Sequence, residues 1–429
     1  MRPLRLVYTT LLYLVTPFVL LRFVVRGFRA PYHWQRWGER FGLFEAPEPR
    51  PTIWIHAVSV GETQAAVPLV RELFRRYPDH RIAVTTTTPT GSERVRQLFG
   101  DQVFHVYFPF DLPGSVRRFL DRLRPELALI MEVELWPNLY RICCARSIPI
   151  LLANARLSAR SAGQYQRVAR LTRSMLRCVQ AVAAQGRGDA ERFIRLGADP
   201  QRVRVTGNTK FDLWSPPSLR EQAAVLRREW GVDRPVWIAA STHEGEDERV
   251  LAAHERVRRA LPAALLVLVP RHPERFSAVT HLVRQTGFTV VTRTSGEACT
   301  AETAVFVGDT MGELPLFYAA SDAAFVAGSL VSRVGGHNPL EPADLGLPVA
   351  FGPWMFNFSD ISRLLLEAGA AREVATVEEL ADTLVEWLTN GDLRHEMGQK
   401  GAAVVQKNRG ARDAVLEMVE ALLRNDTGT

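Results

Sequence analysis

Hydrophobic and polar positions along the chain fall into three regimes. Residues 6–21 (LVYTTLLYLVTPFVLL) form one uncharged apolar run, extending to Val25 if Arg22 snorkels, and interrupted by Pro17. A bilayer core takes about 20 apolar residues, so the run predicts a short membrane span or a helix lying in the interface. A buried core helix is the bland alternative. No small-x-small cleavage site follows, which argues against a removed leader. Arg22, Arg26, Arg29, Arg36 and Arg40 behind the run outnumber Arg2 and Arg5 before it, and that imbalance predicts that the bulk of the chain stays cytoplasmic.

From Pro51 the pattern becomes short apolar runs alternating with amphipathic segments. Residues 52–59, 81–87, 103–108, 127–132 and 148–153 read as strands, separated by helical patterns such as 62–77 and 136–146. A polar, proline-bearing stretch at 212–218 (DLWSPPS) marks a candidate linker. A second strand series follows at 235–240, 264–269, 289–291, 304–307, 323–327 and 348–351. Strands alternating with helices predict parallel sheets covered on both faces. The expected fold class is α/β, with two Rossmann-like doubly wound domains in tandem facing a central cleft. The boundaries read as anchor 1–28, first domain 29–212, linker 213–218, second domain 219–405 and a terminal helix 406–429 that could cross back to the first domain.

Composition narrows the class without naming a reaction. At 429 residues the chain is long enough for two domains. Its four cysteines, Cys143, Cys144, Cys178 and Cys299, have neither metal-ligand nor disulfide-framework spacing, which reads as reduced thiols. The net charge of +7, mainly from arginine, would suit anionic lipid or a phosphorylated substrate. No basic run is interleaved with stacking aromatics, so no nucleic-acid partner is expected.

Loops after strands are where doubly wound sheets bind ligands, and the unusual residues of this chain gather there. The first is His56-Ala57-Val58-Ser59-Val60-Gly61-Glu62, whose glycine admits close approach. Its Glu62 reads either as a helix-start acid or as a general base. Glu132-Val133-Glu134-Leu135-Trp136-Pro137-Asn138 ends another strand; two carboxylates two apart in extended chain would share a face, which suggests either a shared hydrogen-bond network or a raised pKa. Lys210, in Val205–Asp212, is a plain turn residue or a cation for developing phosphate charge. In the second half, Ser241–Glu246, Pro270–Arg275, Gly308–Leu314 and Gly335–Pro342 each follow a strand. Arg271 could grip an anion bidentately, Gly335 and Gly336 offer a ligand close approach to the backbone, and Glu341 could accept the ribose hydroxyls of a nucleotide. No Gly-x-Gly-x-x-Gly fingerprint follows any strand, which removes the usual dinucleotide enzymes.

Taken in order, HAVSVGE, EVELWPN, TGNTKFD, ASTHEGE, PRHPER, GDTMGEL and GGHNPLEP behind an N-terminal anchor resemble the bacterial Kdo (3-deoxy-D-manno-octulosonic acid) transferases that modify lipid IVA. The resemblance extends from residue 1 to about residue 410. It implies a GT-B glycosyltransferase that takes CMP-Kdo as donor and lipid IVA as acceptor, inverts at the anomeric carbon and needs no metal or other cofactor. It implies Glu62 as catalytic base, with Glu132 and Lys210 stabilising the transition state. Arg271 and His272, then Met311, Gly312 and Glu313, then Asn338, Pro339, Leu340 and Glu341 match the CMP-binding segments. Work at the cytoplasmic face of the bacterial inner membrane follows from the same resemblance. A UDP-sugar enzyme or epimerase on this fold, and a non-catalytic membrane scaffold, are the alternatives. The number of Kdo residues added is not written in the sequence.

Overall fold

The computed structural model describes residues 2–29, 36–213, 216 and 218–425, with side chains at 4–21, 36–213, 216 and 218–424. The side chains of Arg22, Arg26 and Arg29 in the basic flank, and Trp214, Ser215 and Pro217 in the linker, lie outside the described residues. The chain divides into two compact units, residues 1–212 with 409–429, and residues 213–408.

The first unit is built on a parallel sheet of β1 (Thr52–His56), β2 (Arg81–Thr86), β3 (Phe104–Tyr107), β4 (Leu127–Met131), β5 (Ile150–Ala155), β6 (Ala181–Ala184) and β7 (Val203–Val205), in the order β3-β2-β1-β4-β5-β6-β7. Strands β1, β4 and β5 are buried along their whole length, which is why they read as continuous apolar runs rather than alternating ones. Trp54 and Ile130 point to one face with Phe119; Ile53, Ile55 and Leu129 point to the other with Leu69 and Leu73. That second face is completed by Val415, Leu416 and Val419 of the terminal helix Ala411–Asn425. Each such burial stabilises the unit by roughly 1.5–3 kcal/mol. The return of the chain is fixed by Asp212, whose carboxylate accepts the backbone N–H groups of Gly410 and Arg412, both at 2.7 Å.

The second unit repeats the plan with β8 (Val236–Thr242), β9 (Leu265–Pro270), β10 (Val290–Thr292), β11 (Val305–Val307), β12 (Ala323–Val326), β13 (Val349–Phe351) and β14 (Ala371–Glu373), in the order β10-β11-β9-β8-β12-β13-β14. All paired strands in both sheets run parallel. The doubly wound α/β expectation therefore holds for each unit. In the first unit the chain winds outward from β1 through β2 to β3 and then crosses back to β4; in the second it passes from β8 to β9 and the edge strand β10, returns to β11, and then crosses to β12. The reversals lie between β1 and β4, and between β8 and β12, where such sheets open a crevice at their carboxyl edge.

Two expectations need correction. The helix Arg2–Arg29 runs without interruption through Pro17, and none of residues 4–21 is buried, so it is no core helix. Arg36 and Arg40 do not belong to a solvated basic flank. Arg36 pairs with Glu39 at 2.6 Å, while Arg40 is buried, donating to the Thr87 carbonyl at 2.8 Å and lying 4.4 Å from the centre of the Tyr107 ring. Both are held inside the first unit, so neither adds to a basic flank beside the apolar helix.

Candidate active site

In the first unit, β1 ends at His56 and the helix Val60–Arg76 begins four residues later with Ser59 as its cap. Glu62 closes a reciprocal capping box. Its carboxylate accepts the Val58 N–H at 2.8 Å and the Ser59 hydroxyl at 3.0 Å, and its own N–H donates to Ser59 Oγ at 3.3 Å. The helix-start reading of Glu62 is thus correct as geometry. It does not exhaust the residue, because burial pushes the carboxyl up to about 7 and the charges of Glu132 and Glu134 add to that push. A side chain at Gly61 would meet nothing nearer than Ser59 Oγ at 3.8 Å, so packing does not demand glycine there.

The neighbouring strand β4 delivers the other acids. It ends at Met131, and Glu132 takes a left-handed backbone with φ 53°. The strand-alternation argument for a shared face therefore fails, since extended geometry stops one residue early. The acids nonetheless come together: burial raises Glu134 to about 7, helped by the Glu132 charge. A left-handed glutamate is strained, and such strain persists only where surrounding contacts over-determine it. Here the Glu132 N–H is held by the Ala153 carbonyl at 2.9 Å.

Lys210 arrives from the far edge of the sheet. The loop after β7 is carried back by Thr209, whose N–H donates to Asn154 Oδ1 and whose hydroxyl donates to the Ala65 carbonyl, both at 3.0 Å. Ala65 lies on the helix that starts beside Glu62. Asn208 then caps the turn by accepting the Lys210 N–H at 3.0 Å.

In the second unit four adjacent strands, β11, β9, β8 and β12, present their following loops side by side. These are the loops holding Met311 to Glu313, Arg271 and His272, His243, and Asn338 to Glu341. The His243 ring stacks on His337 with a 2.9 Å contact between their Nε2 atoms, and meets His272 edge-on at 5.3 Å between ring centres. In the His243–His337 contact one ring donates and the other accepts. Burial, then the charges of His272, Arg275, Arg271 and Arg333, holds His243 down to about 4, so it is neutral at physiological pH. The Arg271 side chain is half-buried and makes no hydrogen bond or ion pair among the described residues. Arg275, by contrast, is taken up by Asp247 and by the Thr242 carbonyl at 2.7 Å.

The remaining predicted residues divide by what is still open. Met311 is 57% exposed, while Gly312 turns the chain with φ 88°. Glu313 is engaged by Arg293, at 2.8 Å, and Thr310, which keeps its carboxyl below the usual range. Leu340 and Pro339 are buried, so only backbone there can meet a ligand. Asn338 accepts the Leu340 N–H at 3.1 Å and donates to Glu341 at 3.2 Å. The glycine pair before them was expected to admit a ligand's close approach. In fact a side chain at Gly335 or Gly336 would strike Phe356 at 2.3 Å or Met355 at 2.1 Å, so the protein's own chain fills that space.

Sequence reasoning passed over Glu246. Fully buried, its carboxylate accepts the backbone N–H groups of His243 at 3.0 Å, Gly328 at 2.7 Å, Ser329 at 3.0 Å and Leu330 at 2.9 Å. It ties the loop after β8 to the loop after β12 across the reversal point. Only strand order, which is not visible in sequence, would have shown that these loops are neighbours.

Comparison with known proteins agrees with this picture. Residues 35–213 match the family profile described as 3-deoxy-D-manno-octulosonic-acid transferase (kdotransferase). The chain is 43% identical to the 3-deoxy-D-manno-octulosonic acid transferase of Haemophilus influenzae, with 98% of this chain and 99% of that one covered. The corresponding protein of Bordetella pertussis is 36% identical, with 96% and 98% covered. Among solved structures, UDP-GlcNAc 2-epimerase from Neisseria meningitidis, bound to UDP-GlcNAc, has a TM-score of 0.55 at 13% identity, covering 86% of this chain and 100% of that one. MurG of Acinetobacter baumannii has 0.54 at 14% identity, covering 87% and 100%. At those identities the two structures speak for fold alone, and the fold is of the GT-B class. With sequence relatives matched over nearly their whole length, the chain belongs to the 3-deoxy-D-manno-octulosonic acid (Kdo) transferase family of glycosyltransferases.

Proposed function

We propose that this glycosyltransferase moves Kdo from CMP-Kdo to lipid IVA, inverting at the anomeric carbon, with Glu62 as general base. The observation that carries the reading is Glu62 itself, a carboxyl pushed up to about 7 at the reversal point of the first sheet. A base with pKa near the working pH balances availability against proton affinity. In the step, Glu62 takes the proton of an acceptor hydroxyl and the hydroxyl oxygen bonds to the anomeric carbon. The bond from that carbon to the CMP phosphate breaks and CMP leaves with the electron pair. Glu132 and Lys210 stabilise charge at the first unit's side of this step.

The second unit holds the donor. Arg271 and His272 take the phosphate, the loop Met311–Glu313 and the segment Asn338–Glu341 hold the nucleoside, and no metal is needed because Arg271 meets the departing charge. The enzyme works at the cytoplasmic face of the bacterial inner membrane, which its acceptor does not leave. One helix among the described residues, at Leu4–Leu21, is long and apolar enough to cross a membrane, and it supports membrane contact.

The test is product mass after incubation with CMP-Kdo and lipid IVA; a mass increase of one or more Kdo residues is expected, and none would sink the reading. Thermal-shift titration separates the nucleotides: CMP should protect, and protection by UDP alone would favour a UDP-sugar enzyme. Arg271→Ala should raise the KM for donor about 10–100-fold, the loss expected for one charge-assisted contact. Its melting temperature should stay at the wild-type value, because Arg271 has no partner within the described protein to lose. An unchanged KM would remove Arg271 from the phosphate site.

A further inference from the structure

The N-terminal helix is two-faced in a way its composition hides. Leu4, Val7, Leu11, Leu14, Phe18 and Leu21 recur at alternating steps of three and four, and all are between 47% and 73% exposed. That spacing is one continuous stripe. Residues 5, 8, 9, 12, 16, 19 and 20 are partly covered instead, and they form the opposite side.

What covers them is the first unit. The Tyr8 hydroxyl donates to Asp111 Oδ2 at 3.1 Å, and the Thr9 hydroxyl contacts the Asn138 amide at 3.2 Å. Further along, Tyr13, Thr16 and Pro17 wall a cavity of about 430 Å³ with Phe41, Leu112 and Arg118. The docking is anchored at Tyr8 and Thr9, about 6–8 Å along the helix from Leu4, and the half-covered residues 12, 16, 19 and 20 continue that side through the apolar run.

This docking is incompatible with a transmembrane course. A helix crossing about 30 Å of hydrocarbon places its middle at the bilayer centre, and whatever packs on that middle goes there too. Here that would be Asp111, Asn138 and Arg118, with exposed Arg117 beside them. Charged and amide groups of a water-soluble unit are strongly disfavoured at that depth.

We propose that the N-terminal helix lies in the plane of one leaflet, its leucine and phenylalanine stripe facing the acyl chains and its other side seated on the first unit. The partner is an anionic lipid surface. Charge complementarity argues for it: between Glu134 and Asp189 the chain carries nine arginines and no acid. Arg160 and Arg167, and then Arg170, Arg173 and Arg177, recur at helical spacing on Ala159–Arg167 and on the helix Ala169–Leu176 with its cap residue. All five are exposed and none pairs with a carboxylate among the described residues. The helix Ala169–Leu176 packs on Pro137–Ala145, the helix on which the N-terminal one also rests. Basic residues beside an anionic leaflet each add to binding in a salt-dependent way.

The inference rests on the membrane clause of the proposed function and is separable from it. Full-length protein carrying a nitroxide at Leu4→Cys, Leu11→Cys or Phe18→Cys would be bound to phosphatidylglycerol–phosphatidylethanolamine vesicles, and label depth read from oxygen and nickel accessibility. An in-plane helix gives three equal depths. A spanning helix places positions 4 and 18 about 21 Å apart along the bilayer normal, with position 11 deepest, and that profile overturns the proposal while sparing membrane association. Failure of the wild type to sediment with vesicles overturns both. In parallel, glutamine at the five arginines should weaken binding to anionic vesicles at least tenfold at low salt and leave neutral phosphatidylcholine vesicles unaffected; equal binding to anionic vesicles would remove the arginine face from the surface.

Discussion

Glu62→Gln is expected to lower turnover by about 10²–10⁴-fold, to leave CMP binding intact, and to raise the unfolding temperature above pH 7. The last effect follows from the sign of its pKa shift. The folded carboxyl titrates near 7 and the ordinary value is 4.5, so between those values the folded protein holds a proton that the unfolded chain has lost. Stability contributed by this group therefore falls as pH rises from about 4.5 to about 7, and the full cost is present above 7. Glutamine carries no charge and its carbonyl can still accept the Val58 N–H. After discounting for partial exposure, its gain above pH 7 is on the order of 1–3 kcal/mol. A residue whose removal stabilises the fold and abolishes the reaction is placed for chemistry, not for capping. Wild-type kcat/KM should fall on the acid side of pH 7 as the base protonates. Glu134→Gln removes a neighbouring negative charge, so that limb should move to lower pH while turnover survives. Turnover of Glu62→Gln within threefold of wild type would end the base assignment.

How much of this was legible in the sequence depends on which physical signal each feature leaves. Strands β1, β4, β8 and β9 are buried on both faces and announce themselves as apolar runs. Strands β6, β7 and β14 were not foreseen: Ala181–Ala184 is short and nearly all alanine, and Val203–Val205 and Ala371–Glu373 are three-residue pieces with an arginine at the centre, so no apolar run marks them. The motif loops were legible because glycine, histidine and acid clusters interrupt apolar strands. Their arrangement was not. His243 and His337 are 94 residues apart and touch only because the chain reverses between β8 and β12. Glu132 misled because two acids at spacing two look extended, and a single left-handed residue cancels that inference. Gly335 and Gly336 misled for a related reason: sequence shows that space is needed at a glycine, not whether a ligand or Met355 fills it.

The largest stability effect is expected at Glu246, where substitution by alanine should cost on the order of 4 kcal/mol or more. Four backbone N–H groups lose their acceptor in a fully buried setting, and each unmet donor costs about 1–3 kcal/mol before any water enters. A domain holds only about 5–15 kcal/mol in total, so the second unit should unfold at much lower urea concentration, or fail to accumulate folded. Glu246→Gln keeps the volume and one acceptor oxygen, but its amide hydrogens then face N–H donors, so an intermediate loss is expected. Urea unfolding of both variants, with CMP protection as the second readout, tests the assignment; a loss under about 1 kcal/mol for alanine would show that those N–H groups have other partners. The functional consequence follows from what the carboxylate joins. It binds the His243 N–H on one side of the reversal point and three N–H groups on the other. The loops it joins are the ones that bring His243 and His337 to 2.9 Å. A variant that stays folded should therefore still lose CMP protection, because the loop that places His243 and the loop that leads into Asn338–Glu341 are no longer fixed to one another.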